Sequence, residues 1–296
     1  MRIVRFSSRD VPTIEVKTAL CLGTFDGVHK GHQALLERAL DVTPDEVGVL
    51  LFDANPSDLL QNGKSHSILT TLDDKLNLLS SLKVDSAYVV HIDKEFFELK
   101  PEEFVTRVLF KLHPSSLVVG VDYSFGAQAA GTVADLQKDF EVFSVPLLKE
   151  GNSKISTQGI IKELSTGHIE KANLELGRPY EIKGLVGHGL GNGHKLGFPT
   201  ANLVMKDPYA LPKNGVYVGA AYSRGLPYKA LINVGDNPTV GVLKTPKVES
   251  YLERLAHDIY GETLYVSFLR FLRAEIKFPS LEELKGQIEK DKAALR

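Results

Sequence analysis

Gly23-Thr24-Phe25-Asp26-Gly27-Val28-His29-Lys30-Gly31-His32 stands between an apolar run over 18–23 and the helical pattern Gln33-Ala34-Leu35-Leu36-Glu37-Arg38-Ala39-Leu40. The order is strand, tight turn, helix. Glycines let a backbone approach a ligand closely, and the first turn of a helix offers unpaired N–H groups to an anion. His29 and His32 are three residues apart, so one helical turn aims both at the same group. A strand, glycine loop and helix alone are a weak signal, and the same residues suit a plain turn with two solvent histidines. The His-x-Gly-His pair at the mouth sharpens the reading toward phosphate chemistry.

The surrounding chain alternates in the same way. Apolar runs at 47–52, 86–92, 117–121 and 140–145 read as buried strands. The spacing of Leu72, Leu76, Leu79 and Leu82 predicts a helix over 71–82, and Pro101-Glu102-Glu103 opens another that ends before Pro114. Strands separated by helices imply right-handed βαβ units and a parallel sheet, whose ligands sit outside the strand carboxyl ends. The fold class expected is therefore α/β for the N-terminal half, with residues 23–32 in the ligand-binding place.

Composition bounds the answer. The chain has 296 residues, enough for two ordinary domains, with 43% hydrophobic and 24% charged residues, as in globular proteins. A formal net charge of −2 gives no nucleic-acid surface and no electrostatic membrane anchor, so any anion site must come from local geometry. Cys21 is the only cysteine, which excludes an intrachain disulfide; in its apolar strand it reads as packing rather than as a nucleophile. The first residues lack a signal-peptide core, and no apolar run approaches the ~20 residues of a membrane span. A cytoplasmic location is expected, with no nucleic acid, membrane or obligate protein partner.

After Leu176-Gly177-Arg178-Pro179-Tyr180 the pattern changes. Strand-like runs at 180–186, 215–222, 228–234, 248–252 and 264–272 follow closely, punctuated by Gly, Pro and Asn. This suggests an antiparallel barrel or sandwich, closed by a helical tail that Ser280 and Glu283 begin at capping-box spacing. The domains expected are 1–175 and 176–296. A second chemical stretch opens the later half: His188-Gly189-Leu190-Gly191-Asn192-Gly193-His194-Lys195-Leu196-Gly197-Phe198-Pro199-Thr200-Ala201-Asn202. Its glycines allow the backbone to wrap phosphates, and the Thr200 hydroxyl and Asn202 carbonyl suit a hard cation such as Mg²⁺. Composition alone leaves a plain surface loop equally open.

The first stretch resembles the nucleotidyltransferases of the His-x-Gly-His superfamily. Gly197-Phe198-Pro199-Thr200-Ala201-Asn202 resembles the signature of prokaryotic riboflavin kinases. Together they resemble the bifunctional riboflavin kinase/FMN adenylyltransferases, and the resemblance extends over nearly the whole chain. Gly120-Val121-Asp122-Tyr123-Ser124-Phe125-Gly126, Asn233-Val234-Gly235, Glu249-Ser250-Tyr251-Leu252, Asp258-Ile259-Tyr260-Gly261, Leu272-Arg273 and Phe278-Pro279-Ser280-Leu281 follow in the family's order. The resemblance implies a Rossmann-like nucleotidyltransferase domain and a β-barrel kinase domain with a terminal helix. It implies ATP-dependent phosphorylation of riboflavin to FMN, then adenylylation of FMN to FAD.

The resemblance also assigns residues. Glu249 is the kinase general base, Thr200 and Asn202 are ligands of Mg²⁺, and Asn202 with Gly189, Gly193, His194 and Gly197 meets ATP phosphate. His29 and His32 are catalytic in adenylyl transfer, with Gly23, Phe25, Asp26 and Gly31 around the ATP. Asp122 and Arg273 face the flavin, and Asp258 to Gly261 form a mobile flap. Three positions depart from the pattern. Asn55 stands where the family has His, Ile161 falls where it has Arg with Lys162 next to it, and His194 replaces a common Arg. Asparagine cannot carry charge, and isoleucine cannot grip phosphate. Two further readings therefore stay open: a working kinase with a degenerate adenylyltransferase domain, and a flavin- or nucleotide-binding regulator without turnover.

Overall fold

A computed structural model describes residues 1–42, 46–54, 66–188, 198–236 and 246–295. The expected site residues Asn55, Gly189, Gly193, His194 and Gly197 lie outside them. The chain divides into two compact units, Met1–Thr157 and Gln158–Arg296. Each is built on its own sheet.

In the first unit, β1 (Arg2–Ser7), β2 (Thr18–Leu22), β3 (Glu46–Phe52), β4 (Ser86–His91), β5 (Ser116–Gly120) and β6 (Val142–Val145) form one sheet in the order β1-β4-β3-β2-β5-β6, all parallel. Alternation along β2 sends Ala19 and Cys21 to one face and Leu20 and Leu22 to the other. Helices α1 (Lys30–Val42) and α2 (Leu72–Ser81) cover the first face with Leu35, Leu36, Leu76 and Leu79. The helical run α3, from Pro101–Phe104 through the π turn Val105–Leu109 to Phe110–Leu112, covers the second with Phe104, Val108 and Leu109. Thr71 starts α2 by a reciprocal cap: its hydroxyl accepts from the Asp74 amide while the Asp74 carboxylate accepts from its own. Cys21 is fully buried, its thiol pKa pushed up by burial, as expected of packing.

The chain moves outward from β2 to β3 and β4, then crosses back to β5 on the other side of β2. The carboxyl ends of β2 and β5 therefore flank the point where strand order reverses, the place where such sheets bind ligands.

The second unit is a closed antiparallel barrel of β7 (Tyr180–Gly187), β8 (Thr200–Val204), β9 (Gly215–Ser223), β10 (Leu226–Asp236), β11 (Pro246–Leu252) and β12 (Thr263–Arg273), in the order β7-β8-β11-β10-β9-β12. The helices α4 (Thr157–Thr166) and α5 (Ile169–Leu176) precede it, and α6 (Leu281–Ala293) ends the chain with Ser280 accepting from the Glu283 amide. A division at 157/158 differs from the expected break at 175/176 because α5 is tied to the barrel. Asn173 Nδ2 donates to the Phe268 carbonyl (2.8 Å), and the Tyr180 amide donates to Asn173 Oδ1 (2.7 Å). Gly177, at φ 74°, ends α5 in the left-handed conformation and turns the chain into β7. No helix among the described residues is long and apolar enough to cross a membrane.

Candidate functional site

In the first unit the strand–helix turn between β2 and α1 is tightly wound. Phe25 (φ 51°), Gly27 (φ 79°) and Val28 (φ 41°) all adopt left-handed backbone. For a bulky or β-branched residue this costs roughly 1–2 kcal/mol, and such strain collects at functional sites. The burial of Phe25 and Val28, both 0% exposed, helps hold the turn. So does Asp26, whose carboxylate accepts from the amides of Leu69 (3.1 Å) and Thr70 (2.9 Å) and from Thr70 Oγ1 (2.9 Å). Thr70 Oγ1 in turn accepts from the Gly27 amide at 2.8 Å, and Thr157 Oγ1 donates to the Asp26 carbonyl at 3.1 Å.

Two of the expected residues have structural partners in this turn. The Asp26 carboxylate braces the turn. The Phe25 ring is core and leans on His32, with centroids 4.9 Å apart; only its backbone is left to face a nucleotide.

His29 and His32 come together as expected. Their rings stack at 3.7 Å between centroids and 18° between planes. The His32 amide donates to His29 Nδ1 (3.3 Å), so a neutral His29 carries its proton on Nε2. Gly31 lies under this pair, where a Cβ would stand 3.0 Å from the His29 ring. His32 Nδ1 is buried without a hydrogen-bond partner. Burial first, then His29 and Lys75, hold the His32 pKa well below the usual imidazole range. Lys75, in the first turn of α2, places Nζ 3.4 Å from the Thr24 carbonyl, and burial lowers its pKa.

Asp122 follows β5 and is exposed, ion-paired with Lys154. At the end of β3, Asp53 accepts from the Ile92 amide (3.0 Å) and pairs with His91 Nδ1 (2.6 Å). Lys162 is exposed on α4, and Ile161 beside it is half-buried.

The barrel aligns the second set. Reading across the strands, Gly187, Asn202, Glu249 and Asn233 occupy one row. Directly opposed residues share a face. Val248 and Ser250, on the other face, are fully buried, so the row faces out of the barrel. Asn202 Oδ1 is buried and has no hydrogen-bond partner among the described residues, although it stands opposite Glu249. The Glu249 carboxylate pairs with Lys247. Thr200, two residues from Asn202 on the same face, stands opposite Tyr251. Lys292 of α6 lies over the rings of Phe198 and Tyr251, 5.0 and 5.6 Å from their centroids.

A cleft of about 310 Å³ opens beside Thr200, walled by Pro199, His257, Asp258 and Tyr260. The expected flap is pinned: the Gly261 amide donates to the Val186 carbonyl (2.8 Å), and the Val186 amide donates to that of Glu262 (2.9 Å). Among the described residues no cluster of His, Cys, Asp and Glu could hold a metal. The hydroxyl and amide oxygens of Thr200 and Asn202 are the donors a hard cation would find.

Comparisons with known proteins match this division. Residues 11–159 match the FAD synthetase family model and 176–296 the riboflavin kinase model. The bifunctional riboflavin kinase/FMN adenylyltransferase of Listeria monocytogenes is 37% identical over 95% of this chain and 92% of its own. The protein of the same description from Escherichia coli (strain K12) is 34% identical over 94% and 91%. The chain belongs to the bifunctional riboflavin kinase/FMN adenylyltransferase family. A solved structure described as a macrolide-efflux protein from Streptococcus pneumoniae is similar throughout, with a TM-score of 0.91, 29% identity, and 100% and 99% of the two chains covered.

Against that family's expected residues, the structure groups His29 with His32, and Thr200 with Asn202 and Glu249. It turns Arg273 elsewhere: Nε and Nη2 donate to Asp291 at 3.0 and 2.7 Å, and Nη1 donates to the Ala274 carbonyl at 3.1 Å. Arg273 fastens α6 to the end of β12. Asn233 and Lys75 were not among the expected site residues. Asn233 lay inside a noticed motif, and only strand register reveals that it borders Glu249. The signal for Lys75 is a cation in a helical turn that favours acids.

Proposed function

We infer that the chain makes both flavin cofactors, phosphorylating riboflavin to FMN within 176–296 and adenylylating FMN to FAD within 1–175. The observation that carries the kinase reading is the outward row Asn202–Glu249–Asn233, with an unpartnered buried Asn202 oxygen beside a carboxylate. Glu249 would accept the proton of the riboflavin 5′-hydroxyl as its oxygen bonds to the ATP γ-phosphorus, the β–γ bridge breaks and ADP leaves. Lys247 pairs with this carboxylate along the same strand face. Thr200 and Asn202 fit Mg²⁺ by donor type, and the ion would supply charge neutralisation on the ATP phosphates. The cleft beside Thr200 would take the nucleotide.

In the first unit an FMN phosphate oxygen would bond to the ATP α-phosphorus while the α–β bridge breaks and pyrophosphate leaves. His29, with its proton on Nε2, would donate to the phosphate oxygens; buried, neutral His32 would stack behind it and fix its plane. Such a reaction depends on positioning and charge stabilisation more than on covalent help. Asp122, released from Lys154, would border the flavin. A cytoplasmic location belongs to the same proposal.

The test is a chromatographic assay of the full-length chain with riboflavin, ATP and Mg²⁺, then with FMN and ATP. FMN in the first and FAD with pyrophosphate in the second are expected. Neither product would overturn the reading, and FMN without FAD would restrict it to the kinase.

A further inference from the structure

Lys75 is placed where folding alone does not favour it. It stands in the first turn of α2, where the helix dipole and unpaired amides disfavour a cation, and it is half-buried there. Side chains of a helix lean toward its N-terminus, and Lys75 accordingly reaches back to the β2–α1 turn. Among the described residues the only hydrogen-bond acceptor it meets is the Thr24 carbonyl, at a long 3.4 Å. Among the described residues it has no carboxylate partner. Asp26 is near enough for its charge to be felt, but its oxygens already accept from Leu69 and Thr70. The imidazole of His32 is near enough to lose proton affinity to Lys75. Across this turn both His29 Nδ1 and His32 Nδ1 are spoken for or buried, and His32 is held neutral. The turn thus offers amides and a neutral His32 ring, with an ammonium at its rim that has no carboxylate partner among the described residues.

We propose that Lys75 is a phosphate-contacting residue of the adenylyl-transfer site: its ammonium meets the triphosphate of the nucleotide and stabilises the charge that builds on departing pyrophosphate. The assignment rests on the adenylylation reading above. It explains why a cation stands in a helical turn suited to acids, beside a His32 imidazole that is held neutral. It requires only that Nζ exchange the long Thr24 contact for phosphate oxygens, a charge-assisted and shorter bond.

The experiment compares K75Q and K75R with the unaltered full-length chain. Glutamine keeps an N–H donor on a stem one atom shorter and loses the charge, while arginine keeps the charge. FAD formation is expected to fall about 10²-fold in K75Q, by analogy with loss of one preorganised donor. The KM for pyrophosphate in FAD pyrophosphorolysis is expected to rise with it. K75R is expected to recover most of the rate, and riboflavin phosphorylation to be unchanged in both.

K75Q forming FAD at the unaltered rate, with an unaltered KM for pyrophosphate, overturns the assignment. So does loss of the first unit's unfolding transition in K75Q, which would give Lys75 to folding instead. If the unaltered chain makes no FAD, the adenylylation reading fails by itself. Calorimetry with a non-hydrolysable ATP analogue then decides Lys75: two classes of site with one weakened in K75Q supports it, and an isotherm unmoved by K75Q overturns it.

Discussion

Replacing Arg273 by Met tests whether this residue serves the flavin or the fold. The side chain of Asp291 is only 5% exposed and that of Arg273 19%, and the two share three hydrogen-bond contacts of 2.7–3.1 Å. Met keeps most of the apolar stem but removes every donor. Among the described residues Asp291 is then left buried with one remaining side-chain hydrogen bond, from Gln287 Nε2 at 2.8 Å. Breaking a buried pair from one side costs about 3–5 kcal/mol, because the surviving charge is uncompensated. For a unit of this size each kcal/mol moves Tm by about 3–4 °C, so the barrel transition should fall by about 10–20 °C. Calorimetry should locate the loss in one of two transitions, leaving that of the first unit unmoved. The double variant Arg273→Met/Asp291→Leu removes both charges and should recover most of the loss. A drop of less than about 3 °C in the single variant, or a double variant as unstable as the single, would refute the burial argument. An unmoved transition with a raised riboflavin KM would return Arg273 to the flavin.

Glu249→Gln should lower riboflavin phosphorylation by about 10²–10⁴-fold, the usual contribution of a general base, while FAD formation from supplied FMN persists; equal loss of both activities would contradict separate sites. Thr70→Val strips the Gly27 amide of its acceptor and Asp26 of a donor, and should cost the first unit about 1–3 kcal/mol in urea unfolding. His32 is held neutral when folded but binds a proton when unfolded, so the unfolded chain gains protons as pH falls below about 6.5. The first unit should lose stability over that fall, and His32→Gln should flatten the dependence of its urea midpoint. His91 has the opposite sign: Asp53 raises its pKa, so its contribution is present below about pH 6.5 and fades as pH rises through the raised value. A His91→Ala chain should show less weakening over that rise.

The first unit was largely legible because its signals reinforce one another. Thr71 and Asp74 mark the start of α2, Leu76 and Leu79 fix its face, and the glycine turn before His29 lies where a parallel sheet binds ligands. Arg2–Ser7 escaped notice because a single alternating run at the chain start has no neighbour to confirm it; it becomes a strand only by pairing with β4. Thr200–Val204 was hidden by its own motif, since residues singled out for phosphate were not also counted as a strand. The structural partners of Asp26 were hidden for a related reason. Its motif membership suggested phosphate, while its partners at Leu69 and Thr70 lie more than forty residues away and only folding brings them near. Arg273 and Asp291 are likewise joined only by the return of α6.

The closed barrel makes the position of Glu249 a matter of parity. Along β11, odd-numbered neighbours such as Tyr251 share its outward side, and even-numbered ones such as Val248 are sealed within. An open sheet has an edge strand that can slide; six strands joined in a ring have none, so one strand cannot shift a step without dragging the other five. Closure therefore acts as an indexing device. Insertions at the Ser223–Leu226 turn leave the count intact, whereas a single residue added within Pro246–Leu252 would exchange the wet and dry sides and bury the carboxylate. The chemistry is thus protected by counting as well as by packing.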